Sequence, residues 1–225
     1  MEKIVVYHGS TEIVEKPSLL QARKNNDYGP GFYCTYDMEM AKEWACKNNS
    51  DGFVNKYEID IDDLKVLNLL DGKHSVLNWI ALLLKNRIFP INDEIASLAK
   101  QFIIDNYLID IDGYDIVIGY RADDSYFSYA QSFVHNGLPV RLLANALKLG
   151  DLGTQFVLVS KKAFAKIEFV ESIRVNKNEY YPKFISRDIN ARTSYQDKIK
   201  KAKSLKDDVF IIDIMRGGAT DDSRL

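Results

Sequence analysis

The stretch Gly29-Pro30-Gly31-Phe32-Tyr33-Cys34-Thr35 is the tightest constraint this chain places on its own fold. Glycine permits backbone angles and close approaches that a Cβ forbids. Proline fixes its own φ and removes a donor, so Gly29-Pro30-Gly31 reads as a shaped turn. A strand from Phe32 to Thr35 leaves that turn with Tyr33 held on one face. A turn built this way beside an aromatic strand raises the question of what else in the chain answers to Tyr33.

The elements around it can be read in order. Ile4 to Tyr7 is a short apolar strand that stops at His8-Gly9-Ser10, and a loop follows. Asp37 suits the N-cap of a helix to about Asn48, on which Ala41, Trp44 and Ala45 share one face and Trp44 points inward. Phe53 to Asp60 alternates as a strand, and helical stretches at about 75–86 and 93–107 fill the middle without a readable motif. Tyr114 to Tyr120 reads as a buried strand, Asp123 or Ser125 opens a helix through His135, and Pro139 starts another through Leu149. Gly150 and Gly153 bracket the turn into a strand from Gln155 to Ser160, and Ile167 to Val175 forms a further strand. Residues 190–206 read as a basic helix, Val209 to Met215 as a short strand, and Gly217 onward as a frayed, flexible tail.

At 225 residues the chain suits one domain, or a domain with an appendage. No apolar run reaches the length of a membrane span and the start carries no signal-peptide pattern, which together imply a cytoplasmic protein with no membrane partner. Cys34 and Cys46 lack metal-ligand spacing and read as small buried residues with reduced thiols; no metal is expected. The net charge of −2 argues against wholesale coating of nucleic acid, yet residues 174–206 hold ten Lys or Arg against three acids. That run is a solvated helix face, or a surface that steers a nucleic-acid acceptor.

His8-Gly9-Ser10, the glycine turn leading to Tyr33, Trp44 one helix later, and Gln155 opening a late strand stand in an order that resembles the nicotinamide pocket of ADP-ribosyltransferases of the diphtheria-toxin and poly(ADP-ribose) polymerase class. More narrowly, with a YDIVIGYRADD strand (114–124) between the tyrosine and the late strand, the chain resembles an uncharacterised bacterial family of such domains over about residues 3–175. The resemblance implies an α+β fold with a split mixed or antiparallel β-sheet core, flanking helices and a helical insertion at about 73–107. It places that domain at residues 1–175 and leaves 176–225 as a basic helical appendage with a flexible tail.

It also implies NAD as the substrate and a catalytic set of His8, Tyr33 and Gln155, with His8, Gly9, Ser10, Gly31, Tyr33 and Trp44 holding the dinucleotide. The chemistry agrees with these residue types. Gly9 exposes backbone groups to a planar carboxamide, His8 can donate to ribose hydroxyls, and Tyr33 with Trp44 can sandwich a flat cationic ring. Each such π-face contributes about 0.5–2 kcal/mol to a cation.

Two positions depart from the class. Ala41 replaces a serine that commonly bonds the carboxamide, and Gln155 replaces a glutamate, so it can bond the ribose 2′-OH but offers no full charge and takes no proton. Asp123 and Asp124 could orient the acceptor. Three activities fit: a mono-ADP-ribosyltransferase acting on a protein or nucleic-acid acceptor, an NAD glycohydrolase, and a catalytically silent module that binds NAD or ADP-ribose. Some members of the class are toxins, which implies a neutralising antitoxin protein as a partner.

Overall fold

Strand alternation and the glycine turn together produce an α+β fold with two sheets, whose computed structural model describes residues 3–122, 124–143, 153–201, 205 and 207–217. In the first sheet β3 (Gly52–Asp60) lies between β1 (Lys3–Ser10) and β7 (Ile167–Val175), antiparallel to both. In the second, the order is β2 (Phe32–Cys34), β6 (Thr154–Leu158), β5 (Ile116–Tyr120) and β4 (Val66–Asn68); only the β4–β5 pair is parallel.

Among the described residues the sheets meet at a single bridge. Strand β2 bonds β6 as far as Cys34, then changes partner: Tyr7 N donates to Thr35 O at 2.8 Å and Thr35 N to Tyr7 O at 2.9 Å. Beyond Tyr7 the two sheets part, leaving the free edge of β1 at His8–Ser10 facing the end of the glycine turn.

Helix α1 (Met38–Ala45) begins where the sequence places it, with Asp37 Oδ1 accepting from Glu39 N and Met40 N. It packs so closely on β1 that a Cβ at Gly9 would collide with the carbonyl of Ala41 and lie 2.7 Å from Ala45 N. The glycine of the His-Gly-Ser sequence is therefore demanded by helix-on-sheet packing.

The helical insertion between β4 and β5 consists of α2 (Val76–Asn86) and α3 (Glu94–Tyr107). Ser75 and Asn78 form a capping box at the start of α2, and Asp93 caps α3. Leu77 and Trp79–Leu84 are all buried, so α2 is apolar around most of its circumference and forms the centre of the largest core cluster. Helix α4 (Asp124–Val134) closes that cluster, and a further helical stretch begins at 140–143; its expected continuation to Leu149 lies outside the described residues.

The C-terminal third differs from the sequence reading. After the short α5 (Lys161–Lys166) and β7, helix α6 runs from Lys177 to Lys201, starting well before residue 190. Its first turns are fixed by tertiary contacts that no local pattern reports: Tyr180 is buried and bonds Glu39 at 3.2 Å. The expected strand at Val209–Met215 is instead a short helix, α7 (Ile211–Met215). Short apolar runs do not distinguish strand from helix by periodicity. Here Asp213 accepts from Phe210 N at 2.9 Å, and Ile211 and Ile214 are buried together on one helical face. The tail beyond Gly217 lies outside the described residues.

Both cysteines are unpaired and buried, as their spacing suggests. Among the described residues no helix is long and apolar enough to cross a membrane, and no cluster of His, Cys, Asp or Glu could hold a metal ion.

Candidate functional site

Where the sheets part, a cavity of about 570 Å³ opens, within the size range of small-molecule sites. His8, Gly9, Ser10, Gly31, Tyr33, Trp44 and Gln155 all line it. The structure thus brings together every residue expected to hold a dinucleotide. Asp123 and the side chain of Asp124 lie outside the described residues.

Tyr33 accounts for the glycine turn. Its hydroxyl donates to Gly29 O at 2.7 Å and accepts from Tyr28 N at 3.0 Å, so the side chain closes the turn that precedes its own strand. Gly29 needs the freedom, with φ at +76°. Burial pushes the phenol well above its usual pKa, which removes it as an acid or base near neutrality. What Tyr33 retains for a ligand is the face of its ring. Because Tyr33 pairs with Val157, its side chain shares a sheet face with that of Gln155, two residues earlier on β6.

The imidazole of His8 is oriented from below and beside. Nδ1 lies 2.7 Å from the carbonyl oxygen of Tyr33, which can only accept, so Nδ1 carries the hydrogen; the Phe32 ring packs at 4.5 Å. Desolvation first, and then the nearby charge of Lys47, lower its pKa despite the opposing hydrogen bond. A neutral ring protonated at Nδ1 presents Nε2 as an acceptor. The expectation that His8 donates to a ribose hydroxyl does not fit this tautomer, in which Nε2 can only accept.

Gly9 contributes backbone. Tyr7 directs its N–H and C=O away from β3 towards Thr35, and in an antiparallel ladder Gly9 lies in the same phase, so its own N–H and C=O face the cavity edge. Ser10 has a local task. Its hydroxyl donates to Glu12 O and accepts from Asn55 Nδ2 at 3.2 Å, committing it to the turn after β1.

Gln155 and Trp44 carry the clearest mark of a binding site. Gln155 is only 7% exposed and Trp44 9%. Among the described residues, Gln155 Oε1 and Trp44 Nε1 are the buried side-chain polar atoms that no protein partner reaches. An unmet buried polar group costs about 1–3 kcal/mol, and both lie in the wall of one cavity. One is an acceptor and the other a donor.

Sequence reasoning missed the residues that set the cavity's charge. Among the described residues, Arg23, Lys47, Arg87 and Arg121 line it against a single carboxylate, Asp27. Asp27 is tied down, accepting from Ala122 N at 2.9 Å and pairing with Arg87 at 3.4 Å. The guanidinium of Arg121 lies over the Trp44 ring at 4.7 Å, so the indole already carries a cation on one face. The helical insertion, which the sequence left without a role, supports the glycine turn from behind. Trp79 Nε1 donates to Tyr28 OH at 2.8 Å, and that hydroxyl donates to Tyr120 O at 2.6 Å. Phe184 on α6 completes the wall, and Arg187, one turn further, forms a two-pronged pair with the buried Glu43 of α1 at 2.8 Å on each arm. None of these partners is near in sequence, and no spacing signals them.

No curated protein and no solved structure matches the chain. Residues 4–169 match the family described as "Protein of unknown function (DUF3990)". That span includes β1, the glycine turn, α1 and β6, stops before α6, and covers well over half of the sequence: the chain belongs to the DUF3990 family.

Proposed function

We propose that the chain is an NAD-dependent mono-ADP-ribosyltransferase whose parted sheets form the split β core of that fold, with the cavity as its NAD pocket. The observation that carries this reading is that Gln155 and Trp44, whose Oε1 and Nε1 have no protein partner, line one cavity together with His8, Gly9 and Tyr33. NAD supplies counterparts for the Gly9 backbone, the two rings, His8 Nε2 and Gln155 Oε1. Its carboxamide pairs with Gly9 N–H and C=O, its nicotinamide ring lies against Tyr33 and Trp44, and its ribose hydroxyls donate to His8 Nε2 and Gln155 Oε1. The surplus of cations along the wall suits a diphosphate.

In the reaction the C1′–N bond breaks, the electron pair leaves with nicotinamide, and positive charge develops on the ribose. Gln155 polarises the 2′-OH through its carbonyl oxygen. It removes no proton, so the acceptor's proton goes to another base or to solvent. The amide in place of a carboxylate also favours a second reading, a module that holds NAD or ADP-ribose without turnover. Labelled NAD incubated with the protein and a cell lysate separates the outcomes. Label on a macromolecule supports transfer, free ADP-ribose identifies a glycohydrolase, and bound but intact NAD leaves the module.

A further inference from the structure

The Arg121–Trp44 stack sits at the end of the cavity where the proposed reading, on which this inference rests, places the nicotinamide. The guanidinium is 4.7 Å from the indole centroid, and both groups line the cavity. Its placement is built in. Arg121 follows β5 directly, and its backbone N–H donates to Gly153 O at 3.3 Å, beside the start of β6 that carries Gln155. A flat ring that takes the indole face covered by the guanidinium either stacks against it or displaces it along the wall, and in both cases a permanent cation stays close. The nicotinamide ring of NAD is itself a cation; the dihydronicotinamide ring of NADH has nearly the same shape and is neutral.

We propose that Arg121 is a specificity-determining residue that reads ring charge, disfavouring the cationic ring of bound NAD and favouring the charge movement of bond cleavage. When the C1′–N bond breaks heterolytically, the ring takes the electron pair and becomes neutral while the positive charge passes to the ribose. The repulsion at Arg121 is relieved, and the new charge develops beside the carbonyl oxygen of Gln155 and the neutral His8. Destabilising the bound reactant more than the transition state raises the rate at the expense of affinity. Two unit charges about 5 Å apart repel enough to weaken binding about fourfold at the dielectric constant of water, and more than about a hundredfold at an effective value near 20.

The test is a pair of dissociation constants, for NAD and for NADH, measured by calorimetry on the parent, Arg121→Met and Arg121→Lys, with thermal unfolding as the folding control. Methionine keeps much of the stem over the indole and removes the charge; lysine keeps the charge. The expected result is that Arg121→Met binds NAD at least about fourfold more tightly relative to NADH than the parent does, that Arg121→Lys keeps the parental ratio, and that nicotinamide release at saturating NAD slows in Arg121→Met. A parental ratio in folded Arg121→Met overturns the inference while the pocket assignment stands, since a role in packing or on the diphosphate shifts both dinucleotides equally. If the parent binds neither dinucleotide, the proposed function falls, and this inference with it.

Discussion

Two buried amides, Asn55 and Gln155, lie on the two sheets that flank the cavity, and they are treated in opposite ways. Asn55, fully buried on β3, donates through Nδ2 to Ser10 Oγ at 3.2 Å and Glu12 O at 3.1 Å, and accepts from Val14 N at 3.0 Å. Gln155, nearly as buried on β6, has an oxygen that no protein donor reaches. The same functional group is a structural rivet in one place and an open valence in the other. Residue type and burial do not distinguish them; the partner list does. A satisfied buried amide holds the chain together, whereas an unsatisfied one lowers stability and persists where a ligand meets it.

Substitution should break this symmetry unequally. Asn55→Ala strands the Val14 N–H and releases the loop after β1, and should cost about 3 kcal/mol, read as a lower denaturant midpoint with an unchanged slope. An unaltered midpoint would remove Asn55 from the framework. Gln155→Ala should leave the stability within about 1 kcal/mol of the parent and reduce nicotinamide release by about tenfold or more, with little change in NAD affinity. Parental release from folded Gln155→Ala would exclude it from the chemistry. The companion Gln155→Glu should raise glycohydrolysis by adding charge where the oxocarbenium forms.

The next effect is smaller and tests whether Tyr33 belongs to both classes. Tyr33→Phe keeps the ring and loses the hydroxyl that closes the glycine turn, and should cost about 1–2 kcal/mol of stability. NAD affinity should change less than in Tyr33→Ala, and equal losses in the two variants would mean that the hydroxyl, not the ring, meets the ligand.

The smallest effect concerns His8. Its folded pKa is depressed, so the fold favours the neutral ring. That contribution is complete above the ordinary histidine value of 6.5 and fades as pH falls from there through the folded pKa. Nicotinamide release should decline on the acid side with a midpoint below the ordinary imidazole value, as Nε2 gains a proton and stops accepting. A midpoint above it would contradict the desolvation of His8.

The sequence made the cavity's framework legible because that framework is local. Gly29-Pro30-Gly31, His8-Gly9-Ser10 and the Asp37 cap each determine backbone within a few residues of themselves. Their order along the chain was enough to bring His8, Tyr33, Trp44 and Gln155 into one wall. What escaped reading was whatever depends on distant partners. Arg121 acquires meaning from Trp44, Asp27 from Ala122 and Arg87, and Tyr180 from Glu39. The misread α7 belongs with these, since Val209 takes its place by accepting from Val140 N at 2.9 Å rather than by its own periodicity.

Helix α6 lies beyond the family match and still helps to enclose the cavity. The family match ends at residue 169, yet Phe184 walls the cavity and Arg187 neutralises Glu43, which is 4% exposed on the helix that carries Trp44. Stripping such a partner from a buried carboxylate typically costs about 3–5 kcal/mol. The region that defines the family is thus not a self-sufficient container. Any relative that shares residues up to β7 but continues with a different helix would keep the floor of the cavity while changing the wall, and with it the molecules admitted. Selectivity in such a lineage could diversify by exchanging its C-terminal segment, leaving the histidine, tyrosine and glutamine undisturbed.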